Sequence, residues 1–84
     1  MKITIYVTYT CPWSIKLIKW LKRHRYKFEE WDVAEPQNKE ARDQWLNKTN
    51  KLIVPTIDVD GHIIIGFNEK ELDKTLKKLK AQAA

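Results

Sequence analysis

The sequence predicts an α/β fold, a four-stranded mixed sheet flanked by three helices in the order βαβαββα. Three observations carry this. The N-terminal run KITIYVT alternates with period two and is rich in β-branched and aromatic residues. Three later segments, opened by Pro12, Pro36 and Asn68, show helical spacing of their apolar residues. Asp60-Gly61 separates two short β-branched runs as a two-residue hairpin turn of the favoured kind.

Each element follows in order. Residues 2–8 place Ile3, Ile5 and Val7 on one side of a strand, which Thr10-Cys11-Pro12 breaks. Pro12 suits a first helical turn, where its missing N–H costs nothing. Ser14, Leu17, Ile18 and Leu21 then form the buried stripe of an amphipathic helix, with Lys16, Lys19, Lys22 and Arg23 opposite. Arg23, His24 and Arg25 complement the dipole at its end. Residues 27–33 (KFEEWDV) return to strand character, and the first βαβ unit is expected to be parallel. Pro36 opens a second helix to about Asn47, buried through Ala41, Trp45 and Leu46. Pro55 precedes a strand over residues 56–59, whose antiparallel partner is 62–65. Asn68, with Glu71 three residues on, caps a last helix lined by Leu72, Leu76 and Leu79. Residues 81–84 are expected to fray.

Eighty-four residues make one domain, spanning 1–84. At this length folding buries about 60–65% of the chain's surface, enough for a thin core without staples. One cysteine, Cys11, excludes an internal disulfide. Hydrophobic content of 43% excludes disorder. No apolar run approaches the ~18–20 residues of a membrane span, and the N-terminus has no signal-peptide core. A soluble, cytoplasmic, monomeric domain is expected. Charge is uneven: residues 1–28 hold seven Lys and Arg and no acid, while the rest hold nine bases and eleven acids. The basic first helix with Trp13 and Trp20 is read as a solvated face, not as a nucleic-acid site. His24 and His62 lie far apart with no second thiol, so no metal site is expected. His62 is expected to face solvent.

Two features carry chemistry. Cys11 stands where a strand ends and a helix begins, so a thiolate there meets unpaired N–H groups and the positive end of the dipole. Such positions lower cysteine pKa values from ~8.5 to ~3.5–7.5. A lone cysteine can instead be a small buried hydrophobe, but its place before Pro12 at a helix start favours reactivity. The second feature is Val54-Pro55. Proline cannot donate to a strand ladder. A cis bond there would turn the chain sharply and present the Val54 backbone outward, whereas a trans proline at a strand start is the common case.

Cys11-Pro12-Trp13-Ser14 resembles the Cys-Pro-aromatic-Cys site of glutaredoxins, with serine in place of the second cysteine. Ile53-Val54-Pro55 resembles that family's Thr-Val-Pro, whose proline is cis, and residues 61–69 (GHIIIGFNE) resemble the hairpin and glycine turn that follow it. The resemblance covers essentially the whole chain, and implies a thioredoxin-like fold and a thiol–disulfide oxidoreductase active in electron transport and cell redox homeostasis. It resembles most the small bacterial and archaeal forms and the glutaredoxin-like hydrogen donors of ribonucleotide reductase.

The resemblance implies roles for individual residues. Cys11 would be the nucleophile, and Ser14 would occupy the resolving thiol's position. Tyr9, Pro12 and Trp13 would flank the sulfur. Val54, before Pro55, would pair its N–H and C=O with a cysteinyl backbone. Asn68 and Glu69, beside Phe67, would sit where the family holds glutathione's γ-glutamyl carboxylate on helix N–H groups. No bound cofactor is implied; glutathione or another small thiol would be a co-substrate. Partners would be disulfide-containing or thiolated proteins, with thioredoxin reductase or ribonucleotide reductase as candidates.

This chain departs from the pattern in several places. Phe67 stands where a second glycine is usual, Asn68 replaces an acid, Ile53 replaces threonine, and no lysine shortly precedes Cys11. These changes leave room for a system driven by thioredoxin reductase or another small thiol. A serine hydroxyl cannot resolve a mixed disulfide. Ser14 is therefore either a natural monothiol arrangement or a Cys→Ser change, and the Cys-Pro-Trp context leans to the latter. Monothiol glutaredoxins that hold iron–sulfur clusters carry Cys-Gly-Phe-Ser, which Pro12-Trp13 does not match. The alternative from another class is a non-catalytic thioredoxin-fold adaptor or binding protein, in which Cys11 would be inert; a third and weaker reading is a binder of nucleic acid or of an acidic protein through the basic residues of 1–28.

Overall fold

The computed structural model describes residues 1–82. Its elements are β1 (Ile3–Val7), α1 (Pro12–Arg23), β2 (Glu29–Asp32), α2 (Lys39–Thr49), β3 (Thr56–Val59), β4 (His62–Ile65) and α3 (Glu69–Gln82), with a single 3-10 turn at Pro36–Asn38 leading into α2. The sheet order is β2-β1-β3-β4. β1 and β2 run parallel, with Ile5 opposite Glu30; β1 and β3 are antiparallel, with Ile5 opposite Ile57; β3 and β4 are antiparallel, with Ile57 opposite Ile64. This is the expected thioredoxin-like architecture.

The period of two in β1 explains the layering. Ile3, Ile5 and Val7 face one way and join Leu17, Trp20 and Leu21 of α1, Ile57 and Val59 of β3, and Leu72 and Leu76 of α3. Tyr6 faces the other way and joins Val33, Ala41 and Trp45. Helices α1 and α3 thus cover one face of the sheet and α2 the other. Every residue of β1 is buried, as befits a central strand covered on both faces.

Some boundaries and burial patterns differ from the sequence reading. Strands β1 and β2 are shorter than the runs 2–8 and 27–33. Pro36 opens a 3-10 turn rather than α2 itself, and α2 runs past Asn47 to Thr49, where Asn50 takes a left-handed conformation (φ 54°) and donates its N–H to the Leu46 carbonyl. On α1 the second aromatic, Trp20, is core, only 3% exposed, whereas Ile18 is half-buried. Trp20 sits three residues after Leu17, on the stripe assigned from smaller residues. Helix α3 is continuous through Gln82, so residues 81 and 82 are helical; the fraying expected of 83 and 84 lies outside the described residues. The hairpin is as expected: Asp60 and Gly61 both have positive φ (51° and 90°), and the Gly61 N–H donates to Asp58 Oδ1. His62 is solvent-exposed. Among the described residues no helix is long and apolar enough to cross a membrane, and no three His, Cys, Asp or Glu side chains gather as metal ligands would.

Candidate active site

Strand directions decide which loops meet. β1 ends at Val7, β3 begins at Thr56, and β4 ends at Ile65, with Tyr6 paired to Thr56 and Thr56 to Ile65. The loop carrying Cys11, the Val54-Pro55 segment and the turn at Gly66 therefore emerge at one end of the sheet. The Gly66 N–H donates to the Pro55 carbonyl at 2.8 Å, fastening two of these segments together. Gly66 has a φ of 83°, which an L side chain rarely adopts.

Cys11 is the N-cap residue of α1, extended (φ −95°, ψ 117°), with Pro12 starting the helix. Its N–H donates to the Thr8 carbonyl, and its carbonyl accepts from Ile15. The half-buried sulfur closes no full capping bond, but nearby donors act on its charged form. The Ser14 N–H holds the thiol below its ordinary pKa; burial opposes this, and the Ser14 hydroxyl and Trp13 N–H reinforce it. Ser14 is fully buried, and its Oγ also accepts the Thr8 N–H at 3.4 Å, so the hydroxyl links the end of β1 to the helix start.

The flanking aromatics are open. Tyr9 and Trp13 are each more than half exposed. The Tyr9 hydroxyl donates a short hydrogen bond to the Glu30 carboxylate, chiefly through which its pKa is pushed up to about 12. Trp13 carries the Lys16 ammonium 4.5 Å above its ring.

Val54-Pro55 is cis. Among the described residues the Val54 N–H and C=O find no hydrogen-bond partner, and that backbone is available to an incoming chain. A buried relay fixes this segment from below. The Trp45 indole N–H donates to Thr56 Oγ1 at 3.0 Å, and the Thr56 hydroxyl donates to the Ile53 carbonyl at 2.7 Å. Sequence reasoning took Trp45 for plain core and passed over Thr56. The available signal was a hydroxyl residue directly after the proline, in a strand otherwise headed for burial.

The remaining expected site residues lie at the start of α3. Asn68 caps it, its Oδ1 accepting the Glu71 N–H at 3.1 Å. The Glu69 carboxylate accepts the Trp20 indole N–H at 3.2 Å. Phe67 packs edge-on against Trp20 and is half-buried, filling space between α1 and α3. Two carboxylates, Glu69 and Glu71, occupy the first turn of α3, which weakens its attraction for another anion.

The family model for glutaredoxin matches residues 3–64. The chain belongs to the glutaredoxin family. It is 40% identical over 76 residues to a glutaredoxin-like 8.6 kDa protein from the rubredoxin operon of Clostridium pasteurianum, an alignment covering 90% of this chain and 99% of that one. Methanoredoxin of Methanosarcina acetivorans superposes with a TM-score of 0.77 at 28% identity, covering 87% of this chain and 81% of that one. The glutaredoxin of Methanosarcina mazei gives 0.75 at 26% identity, covering 89% and 77%. As a glutaredoxin-family member the chain is a redox-type protein.

Proposed function

We propose that this glutaredoxin-family chain is a thiol–disulfide oxidoreductase with Cys11 as its nucleophile. The observation that carries the reading is the set of donors around Cys11, namely the Ser14 and Trp13 N–H groups and the Ser14 hydroxyl. The Cys11 thiolate attacks one sulfur of a disulfide; a new Cys11–S–S bond forms as the old S–S bond breaks, and the departing sulfur leaves as a thiolate. Val54 offers its N–H and C=O to the substrate backbone beside Pro55. Tyr9, Pro12 and Trp13 would meet the substrate beside the sulfur, and Phe67, Asn68 and Glu69 would meet it from the start of α3. Ser14 cannot perform the second displacement. An external thiol therefore attacks the mixed disulfide, freeing the Cys11 thiolate and carrying away the partner as a new disulfide. Glutathione or another small thiol can serve, as can delivery of electrons from thioredoxin reductase. Such chemistry suits the cytoplasm, where thiols are kept reduced.

The experiment compares the chain as it stands with Ser14→Cys and Cys11→Ala. Substrates are a protein carrying a small-thiol mixed disulfide and one with an internal disulfide, turned over with dithiothreitol, while adducts are read by mass spectrometry in parallel reactions that contain no reductant. The serine form should reduce the mixed disulfide and accumulate adducts on Cys11. Ser14→Cys should gain reduction of the internal disulfide, since residues three apart across the first helical turn can bridge. Turnover by the serine form no faster than by Cys11→Ala, together with no adduct on Cys11, would overturn the reading in favour of an adaptor.

A further inference from the structure

The basic charge of the first helix is organised. Lys16, Lys19 and Arg23 recur at i, i+3 and i+7 and so form one stripe along α1. Together with Trp20, Phe67 and Glu69 they line a shallow groove of about 160 Å³ between α1 and the start of α3. Four acidic residues elsewhere take up lysine partners in salt bridges, but among the described residues none of these three cations is in such a pair. The one carboxylate in the groove, Glu69, is already engaged by the Trp20 indole, and the groove retains an excess of positive charge. Its near end is Lys16, stacked on Trp13 beside Cys11.

Resting on the reading of Cys11 as the reactive thiol, we infer that this groove is a specificity surface for the protein substrate, and that it selects an acidic segment flanking the substrate's reacting cysteine. Reach sets where the acids lie. At 1.5 Å rise per residue, Lys19 is about 12 Å and Arg23 about 18 Å along α1 from Cys11. An extended peptide covers those distances in about four to six residues. Two or three Asp or Glu at that distance from the cysteine meet the stripe while the cysteine meets Cys11. A nucleic acid fits less well, because Trp20 is too buried to stack on bases and only three cations follow the line.

The test follows a single displacement with three peptides of one length, each bearing one cysteine capped as a thiopyridyl disulfide. One carries acids about four to six residues from the cysteine on both flanks, one neutral residues and one lysines. The Cys11 thiolate attacks the peptide sulfur, forming a Cys11–peptide disulfide; the thiopyridyl anion leaves, takes a proton and absorbs as pyridine-2-thione. In about 0.01 M salt the acidic peptide should react about tenfold faster than the neutral one, and the lysine peptide slower. The advantage should vanish near 1 M salt, where the Debye length is about 3 Å. In Lys19→Gln/Arg23→Gln the acidic advantage should fall to about threefold or less, with the neutral peptide unchanged. Equal rates for all three peptides at low salt, or an advantage that survives the double substitution, overturn the groove while leaving the Cys11 reading intact. A single-stranded oligonucleotide that suppresses the acidic advantage far better than a cysteine-free acidic peptide of equal charge would assign the groove to nucleic acid instead. No thione release from any peptide removes both readings.

Discussion

Three residues set the behaviour of the site end. At Cys11 the donors outweigh burial, so the alkylation rate should reach half its maximum at a pH below that of an ordinary thiol, about 8.5. Ser14→Ala removes one donor and should move that midpoint upward without abolishing the effect, because the Ser14 and Trp13 N–H groups remain. Since the folded thiol's pKa is lowered, its ionisation stabilises the fold above the unfolded thiol's pKa, and that contribution is lost as pH falls through the folded value. Tyr9 has the opposite sign. Its phenol, raised to about 12 by Glu30, favours the fold below about 10 and loses that contribution as pH rises through about 12. Ultraviolet titration should show a late-ionising component that Tyr9→Phe removes and Glu30→Gln brings down. Thr56 acts on stability: Thr56→Val strands the Trp45 indole N–H and the Ile53 carbonyl, and should cost about 1–3 kcal/mol in denaturant titration. Thr56→Ser, which keeps the hydroxyl, should recover most of it. Cys11 and Pro55 were visible in the sequence because a cysteine at a helix start and a proline at a strand start are local signals. The Thr56 relay was not, because it spans α2, β3 and the loop between them, and no sequence period reports it.

Among the elements, α1 and α3 place the site and α2 backs it. Asn68 is the clearest single determinant of α3, and Asn68→Ala should cost about 1 kcal/mol, seen as a lowered Tm with little change in secondary structure. Truncating Leu76 should cost about 2–5 kcal/mol, since it lies fully buried where α3 meets the sheet. The helices with strong apolar stripes, α1 and α3, were legible from spacing alone. The start of α2 was displaced because Pro36 satisfies both a 3-10 turn and an α-helical first turn, and only the contacts of Ala41 and Trp45 decide where the α-helix begins. Trp20 was assigned to the charged side because its neighbours Lys19, Leu21 and Lys22 mix both characters. Its indole N–H needs a partner once buried, and Glu69, supplied from α3, lies far along the chain.

At the scale of the molecule, β1 is covered on both faces and paired on both edges, whereas the sheet's own edges differ from one another. β2 presents Glu29, Glu30 and Asp32 along its length. Laying a second β2 alongside it would put carboxylates opposite carboxylates, so this border rejects intruding strands. β4 reads His62, Ile63, Ile64 and Ile65, with no carboxylate and with Ile65 39% exposed. It is the border through which this protein would stick to itself when stressed. Light scattering during slow heating should therefore rise earlier for the chain as it stands than for Ile65→Lys, while a charge reversal on β2 such as Glu29→Lys should not give that protection. The isoleucines that complete the sheet are thus also its weak point against aggregation, and a gatekeeping charge at position 65 is the change that would close it.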